Sequence, residues 1–336
     1  MNLSILVKKF KANLLFRVGI PQKRLIDKAR TGFFILMYHR IIDPGTCPDY
    51  LQPGMYVTPK TFTMHLDALS EWTTIVPLDD LLNFMAKREF PDTQKPFGAI
   101  TFDDGWVDFY SNAFPLLKKH NIPATVFIPT NFIGTNRQFW TDRLAAIWKK
   151  RIPGIVERTD QLVTDLTALK GTFENQIEKA IEILKQKPLK TIEQTLDKLQ
   201  ESFRLKDCTA GERFFLDWEE IETMRMSSPV SFGSHTANHH LLTTIDNDAI
   251  RRELAESRKQ LLDKNICSID TIPFCYPNGN HNTAIAGMVE MAGYSCAVTT
   301  KNGWNNFSEN LFNLKRIGVH QDMTSTVPMF FRLLSR

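Results

Sequence analysis

The sequence predicts an α/β fold in which a parallel sheet, with helices outside it, closes or nearly closes into a (β/α) barrel. Seven short apolar runs typical of buried strands alternate with longer stretches that have helical periodicity. Strands that alternate with helices favour a parallel sheet. Polar residues follow several of the runs directly, and the active site of such a barrel lies at the carboxyl ends of its strands. We therefore expect a functional site where those ends meet.

The predicted elements follow one another from residue 33 to residue 319. Thr58 followed by Pro59 indicates a helix start, and Asp217 with Glu220 resembles the capping box that opens a helix. Between the third and fourth strands the chain becomes rich in Lys, Glu, Gln and Leu, which predicts a helical insertion at about 140–212. The predicted strands are 33–37, 99–102, 124–128, 229–234, 272–276, 294–299 and 314–319.

The first thirty residues differ from the rest of the chain in charge. Residues 1–30 carry eight Lys or Arg residues and one acid, Asp27, for a net charge of +7, whereas the remainder sums to −3. Two interpretations stay open: a basic helix that lies on an anionic membrane surface, or one that packs against the domain. The predicted organisation is a basic amphipathic segment at 1–30 and a barrel domain at 31–336. The apolar residues at helical spacing in the segment are Leu3, Leu6, Val7, Phe10 and Leu14.

Composition also indicates the cellular compartment of the protein and the classes of partner it can bind. No run is long and charge-free enough to span a bilayer, and Lys8, Lys9 and Lys11 interrupt any apolar core of a secretory signal. Five cysteines without a C-x-x-C pattern fit a reducing compartment. We therefore expect a cytoplasmic protein, peripheral at the inner face of the membrane under the first interpretation of the basic segment. Basic residues are not interleaved with aromatic residues, so no nucleic-acid partner is expected.

Two strand ends carry the side chains of a metal site. Asp103 and Asp104 follow the second strand, and Gly105 lets the chain turn sharply there. His235 and His239 follow the fourth strand and can converge on one ion if the chain turns helically after His235. Two histidines and one carboxylate leave a fourth position open, the pattern of a catalytic zinc site. From chemistry alone, either aspartate can be the ligand and the other the base.

These residues carry a resemblance to a known family. Residues 101–105 (Thr-Phe-Asp-Asp-Gly) and 235–239 (His-Thr-Ala-Asn-His) resemble the first two motifs of the polysaccharide deacetylases, carbohydrate esterase family 4 with its NodB-like domain. The resemblance spans about 33–320 and implies a distorted (β/α)7 barrel. It also implies a metal held by Asp104, His235 and His239, with Asp103 as the base. Zinc is the default from ligand type, although these ligands also accept cobalt, nickel or iron.

Residues 274–279 (Phe-Cys-Tyr-Pro-Asn-Gly) resemble a third motif of the family. The backbone N–H of Asn278 is a candidate donor to the oxyanion, and Tyr276 is a candidate substrate contact beside it. Many relatives place at the Cys275 position an arginine that orients the base. Arg316 is the substitute candidate, although an arginine at a strand end can instead make a structural ion pair.

For each of three further side chains, a role in the site and a purely structural role both stay open. The resemblance makes His320, after the last strand, the candidate general acid, and a rim position is its alternative. His39 follows the first strand, where relatives often carry Tyr-His, and it either faces the pocket or bonds within the rim. Trp140 either lines a sugar-binding cleft or packs in the interior.

The resulting hypothesis is a metal-dependent hydrolase that removes N-acetyl groups from the amino sugars of a polysaccharide or lipid-linked glycan during polysaccharide assembly. A second hypothesis keeps the metal site but removes another small acyl group, such as formyl. A third is a catalytically silent glycan-binding module that uses the barrel groove.

Overall fold

The computed structural model describes residues 3–46, 52, 54–91, 95–151, 160–205, 213–227 and 230–336, with side chains from residue 7 onward. The chain comprises two compact units. The first consists of Met1–Thr46, Gln52–Thr135 and Phe215–Arg336, and the second of Asn136–Phe214 together with Cys47–Leu51. The strands of the described residues all belong to the first unit.

The first unit is organised around a parallel sheet of short, largely buried strands. In chain order the strands are β1 (Phe34–Tyr38), β2 (Arg40–Ile41), β3 (Tyr56–Val57), β4 (Thr74–Ile75), β5 (Phe97–Phe102), β6 (Ala124–Ile128), β7 (Val230–Ser234), β8 (Pro273–Cys275), β9 (Cys296–Val298) and β10 (Ile317–Gly318). Seven of them pair in the order β10-β1-β5-β6-β7-β8-β9, while β4 pairs with the start of β5 and β2 pairs separately with β3. Every strand pairing is parallel, as expected for strands joined by helices.

The sheet curls, and the chain around its last strand reaches both edges. Leu314 forms a parallel bridge with Val298 of β9, whereas Ile317 pairs with Leu36 of β1. All seven predicted strands are present, and helices surround the sheet. The distorted (β/α)7 barrel is therefore confirmed.

The helices of the first unit lie before, between and after the strands. Their starts follow sequence signals: the Thr58 hydroxyl accepts from the Thr61 N–H at 3.2 Å, and the reciprocal bonds of Asp217 and Glu220 form the predicted capping box. These helices are α1 (Leu3–Arg17), α2 (Ile20–Ala29), α3 (Pro59–Trp72), α4 (Leu78–Lys87), α5 (Phe114–His120), α10 (Trp218–Ser227), α11 (Asn247–Asp263), α12 (Thr283–Met291), α13 (Gln321–Thr324) and α14 (Val327–Leu334).

The second unit is helical and has its own core. Its helices are α6 (Trp140–Lys150), α7 (Gln161–Thr167), α8 (Phe173–Leu184) and α9 (Leu189–Ser202). Apolar side chains from all four helices, with Trp148 among the largest, form one buried cluster. Arg143 of α6 pairs with Glu193 and Asp197 of α9, which helps to fix the two helices against each other.

His65 of α3 is buried in the core of the first unit, where it packs against α14. Nε2 of His65 lies 2.9 Å from the Thr324 carbonyl oxygen, and Nδ1 lies 3.1 Å from the Tyr38 hydroxyl. The carbonyl can only accept, so Nε2 carries the proton and Nδ1 accepts from the tyrosine. The ring also stacks on Phe330 at 4.0 Å. Burial lowers the pKa of His65 to about 4, because a charged imidazole is poorly solvated there.

The N-terminal helices pack on the end of the chain. Ala12 of α1 and Leu25 of α2 are buried, and Phe16 meets Phe331 of α14 edge-on at 5.2 Å. Gly19, at φ 73°, separates the two helices. Within the described residues, none of the helices has the length and apolar character needed to cross a bilayer.

Candidate active site

The two adjacent carboxylates at the end of β5 enter different environments. Asp104 and Gly105 have left-handed backbone conformations, with φ of 74° and 67°. A Cβ at position 105 would lie 2.8 Å from Ile128 Cγ2, so both the space and the backbone conformation favour glycine there. The turn separates the carboxylates: Asp103 meets Arg316, whereas Asp104 meets two histidines.

Asp104, His235 and His239 form a compact cluster of potential metal ligands. Nε2 of His235 lies 3.4 Å and Nε2 of His239 lies 3.3 Å from Asp104 Oδ1. One ligand atom from each residue lies within 4.8 Å of the others. The Trp106 indole N–H donates to Asp104 Oδ2 at 3.0 Å, so the other carboxylate oxygen faces the histidines. Two imidazoles and one carboxylate suit a catalytic divalent metal such as zinc.

The hydrogen bonding of His235 favours metal binding. Its Nδ1 lies 2.8 Å from the carbonyl oxygen of Cys275. A carbonyl only accepts, so Nδ1 carries the proton, and in the neutral ring Nε2 presents its lone pair towards Asp104. A ligating histidine is commonly oriented in this way by a carbonyl or carboxylate behind it. The donor set and its support therefore fit a divalent cation.

The two histidines converge through an irregular loop, and the expected helical turn after His235 is wrong. Thr236 and His239 have φ of 66° and 57°, which a continuing helix does not allow. The buried carboxylate of Glu253 accepts from the backbone N–H of Asn238 at 2.7 Å and from its side-chain amide at 2.8 Å. These bonds hold the loop, so the chain satisfies its polar groups without a helical turn. His240 pairs with Glu253 at 3.0 Å and is not part of the ligand cluster.

The charges of the site favour a cation between the histidines. Burial would raise the pKa of Asp104, but hydrogen bonds from His235 and His239 hold that pKa well below its usual range. Burial also opposes a charge on His235, yet Cys275 and the carboxylates of Asp104 and Asp103 together raise the pKa of His235 well above normal. For His239, burial prevails and lowers the pKa. The buried carboxylates thus attract positive charge, which a proton or a metal ion supplies.

Asp103 is held by the buried Arg316, which lies 213 residues later in the chain. Arg316 donates to Asp103 Oδ1 and Oδ2, each at 2.7 Å, in a bidentate pair. The guanidinium also donates to the sulfur of Cys275 at 3.2 Å, so it lies beside the position where relatives carry their arginine. Burial would raise the pKa of Asp103, but the charge and hydrogen bonds of Arg316 lower it. Asp103 is therefore ionised at neutral pH.

His39 and His320 were also predicted for the site, and the structure brings His39 near Asp103. Nε2 of His39 lies 3.9 Å from Asp103 Oδ2, and the imidazole is partly exposed. His320 precedes α13 and is partly buried. Burial lowers the pKa of His320; the nearby Asp322 charge opposes this effect, and the charge of His39 adds to it. The structure thus brings His39 to Asp103 and places His320 within electrostatic reach of His39.

The three remaining predicted residues are Tyr276, Asn278 and Trp140. The Tyr276 hydroxyl donates to the Phe312 carbonyl at 3.0 Å and its ring stacks on His281, so its polar group is engaged within the fold. Asn278 follows β8 with φ of 57° and is exposed. Trp140 begins α6 and packs against the core of the second unit. Their contacts with substrate stay predictions.

Two supporting residues were missed in the sequence, although signals for both are visible in hindsight. Trp106 follows the Asp-Asp-Gly turn directly, where an indole donor is within reach of the second carboxylate. Glu253 lies next to Leu254 on the inward face of α11, and an acidic residue on a buried face implies a polar partner. Neither signal identifies the partner, because that depends on packing between distant elements.

Comparison with known proteins places these residues in a family. Residues 91–297 match the polysaccharide deacetylase family. YxkH of Bacillus subtilis, whose name assigns it to that family, is 23% identical over 294 residues, 87% of this chain and 73% of its own. The poly-β-1,6-N-acetyl-D-glucosamine N-deacetylase of Staphylococcus epidermidis is 28% identical over 123 residues, 34% of this chain and 42% of its own.

A solved structure has the same fold. The Streptococcus pyogenes deacetylase PplD, determined in complex with acetate, matches with a TM-score of 0.59 at 20% identity, over 91% of this chain and 98% of its own. The family match covers more than half of the chain and contains both aspartates of the β5 turn and both clustered histidines. The chain therefore belongs to the polysaccharide deacetylase family.

Proposed function

We propose that this protein is a metal-dependent hydrolase that removes N-acetyl groups from the amino sugars of a polysaccharide or lipid-linked glycan. One observation carries the proposal: an ionised Asp103, clamped by Arg316, lies next to the ligand cluster formed by Asp104 and two histidines. In this proposal Asp104 is the ligand, and Asp103, whose two oxygens accept from Arg316, is the base beside the metal position. The staphylococcal relative, named as an N-deacetylase of poly-N-acetylglucosamine, supports the choice of acyl group and sugar.

In this proposal Asp104, His235 and His239 hold the metal, with zinc favoured by two nitrogen ligands and one oxygen ligand. When bound, a divalent cation polarises the amide carbonyl and lowers the pKa of a water molecule. His235 is fixed as a ligand by its bond to the Cys275 carbonyl, and Asp104 by the Trp106 indole. These two groups are therefore already oriented for metal binding by their hydrogen bonds.

Asp103 takes the proton of the attacking water. A general base needs to be ionised and in a fixed position, and Arg316 provides both by lowering the pKa of Asp103 and holding both of its oxygens. Arg316 thus performs the orienting role of the arginine that relatives place at position 275.

The leaving amine and the oxyanion use residues from other strand ends. In this proposal His320, which follows the last strand and precedes α13, protonates the leaving amine. The N–H of Asn278, after β8, donates to the oxyanion. Tyr276 and His39 contribute to the substrate side.

The proposal is tested with acetate release from N-acetylglucosamine oligomers, measured beside metal content. Asp103→Asn is expected to keep its metal and to lose at least about a hundredfold in turnover, as for removal of a general base. His239→Ala is expected to lose both. Asp248→Asn, a change at an exposed carboxylate, is the matched control. Full activity in Asp103→Asn refutes the mechanism. Metal and sugar binding without release of acetate from these oligomers, or of formate from their N-formyl counterparts, favours the silent binding module.

We further propose a cytoplasmic location, with residues 1–30 in peripheral contact with the inner face of the membrane. Support comes from the net charge of +7 on that segment, which suits the anionic inner leaflet. Three cysteines, Cys267, Cys275 and Cys296, are free thiols among the described residues, in keeping with a reducing compartment. Cell fractionation tests the location. We expect the protein in the cytoplasmic fraction or on membranes from which salt releases it. Recovery outside the cytoplasm, whether or not the membranes are washed with salt, contradicts the proposal.

A further inference from the structure

Helix α1 is apolar on two opposite faces, and only one of them is covered. Ala12 is buried and Phe16 packs on Phe331 of α14. On the other side, residues three and four positions apart project outward and form one stripe. Its exposed fractions are 60% at Val7, 74% at Phe10, 56% at Leu14 and 62% at Val18, just past the helix end. The side chains of Leu3 and Leu6, also predicted for this helix, lie outside the described part.

Cations border this outer stripe on both sides. At about 100° per residue, Lys11 and Lys8 lie along one edge and Arg17 lies along the other, and all three are exposed. Beside Lys8 is a pocket that Arg332 and Arg336 also line, with apolar side chains from α13 and α14 completing it. Residues 1–30 contain one acidic residue in all. Such a stripe offers apolar side chains to the acyl chains of a lipid interface, and the cations beside it can bind anionic headgroups.

We propose that the outer stripe of α1 docks on a surface of anionic phospholipid, an inference that rests on the membrane contact proposed above for residues 1–30. Val7, Phe10 and Leu14 enter the boundary between headgroups and acyl chains, while the bordering cations and the pocket beside Lys8 bind lipid phosphates. A second copy of the chain is a poor occupant, because it would bring one segment of charge +7 against another. Single exposed apolar residues elsewhere, such as Met226 and Met291, are normal for a protein surface.

The docking helix is already folded and fixed to the catalytic unit. Its inner face packs on α14, and Lys28 of α2 donates to the backbone carbonyl of Arg336. Because the helix is already formed, its binding carries no free-energy cost of helix formation, whereas the binding of a segment that folds at the membrane does. The same attachment keeps the barrel next to the lipid surface, where a lipid-linked glycan would be presented.

Vesicle sedimentation with the full chain tests the proposal. Vesicles of phosphatidylcholine alone are compared with vesicles that also contain phosphatidylglycerol, at low salt. We expect wild type to partition at least about tenfold more strongly to the anionic vesicles. Phe10→Ser/Leu14→Ser is expected to lose at least about tenfold in partitioning, because two large apolar groups no longer enter the interface. Lys8→Gln/Lys11→Gln is expected to lose about as much on anionic vesicles only.

The matched control is Met226→Ser/Met291→Ser, which removes two side chains that are 70% and 80% exposed elsewhere. Its partitioning should equal that of wild type. The proposal is overturned if wild type does not prefer anionic vesicles, if the stripe variant binds as wild type does, or if the control loses as much. Acetate release from a soluble oligosaccharide should be unchanged in all three variants, so failure of docking and failure of the proposed hydrolase are distinguishable.

Discussion

Replacing Arg316 by glutamine is expected to destabilise the fold and to disable Asp103. The guanidinium is fully buried and donates to the Asp103 carboxylate, the Thr101 hydroxyl, the Thr299 carbonyl and the Cys275 sulfur. Glutamine has one NH₂ group and no charge, so it cannot reproduce this set of bonds. Asp103 then remains as a buried carboxylate without its counter-charge, and burial raises its pKa.

The magnitude follows from the burial of the pair. Removing one partner of a buried ion pair costs about 3–5 kcal/mol, because the other charge is left uncompensated. Asp103→Asn leaves the Arg316 guanidinium as a buried charge without its partner, so we expect a comparable loss in the free energy of unfolding. The double variant has no uncompensated charge. Its loss should therefore be smaller than the sum of the single losses by about 2 kcal/mol or more. Turnover of Arg316→Gln should fall at least about a hundredfold.

The assay is urea unfolding of the wild type, both single variants and the double variant. A chelator is present throughout, since a metal that binds the native state adds its own stabilisation. Arg316→Lys, which keeps the charge but not the planar fork, should fall between wild type and Arg316→Gln. Additive losses within about 0.5 kcal/mol would refute the coupling, and so would a loss below about 1 kcal/mol in Arg316→Gln.

Three further predictions concern the metal site and the core. His239→Ala should lose bound metal, whereas His240→Ala should keep it, and elemental analysis of both proteins decides; retention of metal in both variants contradicts the ligand assignment. Glu253→Gln should weaken metal affinity by about 10- to 100-fold with all three ligands intact, because it removes the charge that holds their loop; equal affinity in a competition titration would show that the loop needs no such support. Wild type should lose roughly 3 kcal/mol of stability between pH 6.5 and pH 4, since the pKa of His65 is lowered from 6.5 to about 4 and the unfolded chain binds the proton first. His65→Gln should show a flatter profile in urea unfolding across that range, and an unchanged slope contradicts the assignment to this residue.

Local patterns in the sequence were sufficient for the sheet and for the position of the ligands. Apolar runs mark buried strands because their side chains enter the core, and polar residues directly after them lie at the carboxyl ends of parallel strands. One aspartate of the β5 turn, together with His235 and His239, was predicted as a ligand cluster on that basis, and the family resemblance selected Asp104. The structure brings Asp104 and the two histidines together. The loop conformation after His235 was not predictable, because Glu253, from a different element, determines it.

Near neighbours in the chain were enough to predict the seven strands, the helix starts at Thr58 and Asp217, and the chemical types of the site residues. Which distant groups meet depends on the folding of the whole chain. Arg316 reaches Asp103 across 213 residues, and the Cys275 carbonyl selects the tautomer of His235 across 40 residues. Spacing likewise placed Phe10 on a helix, but packing against α14 decided that its face is the one left exposed. Helical or strand periodicity is a local property, whereas contacts between elements depend on how the whole chain buries its apolar surface.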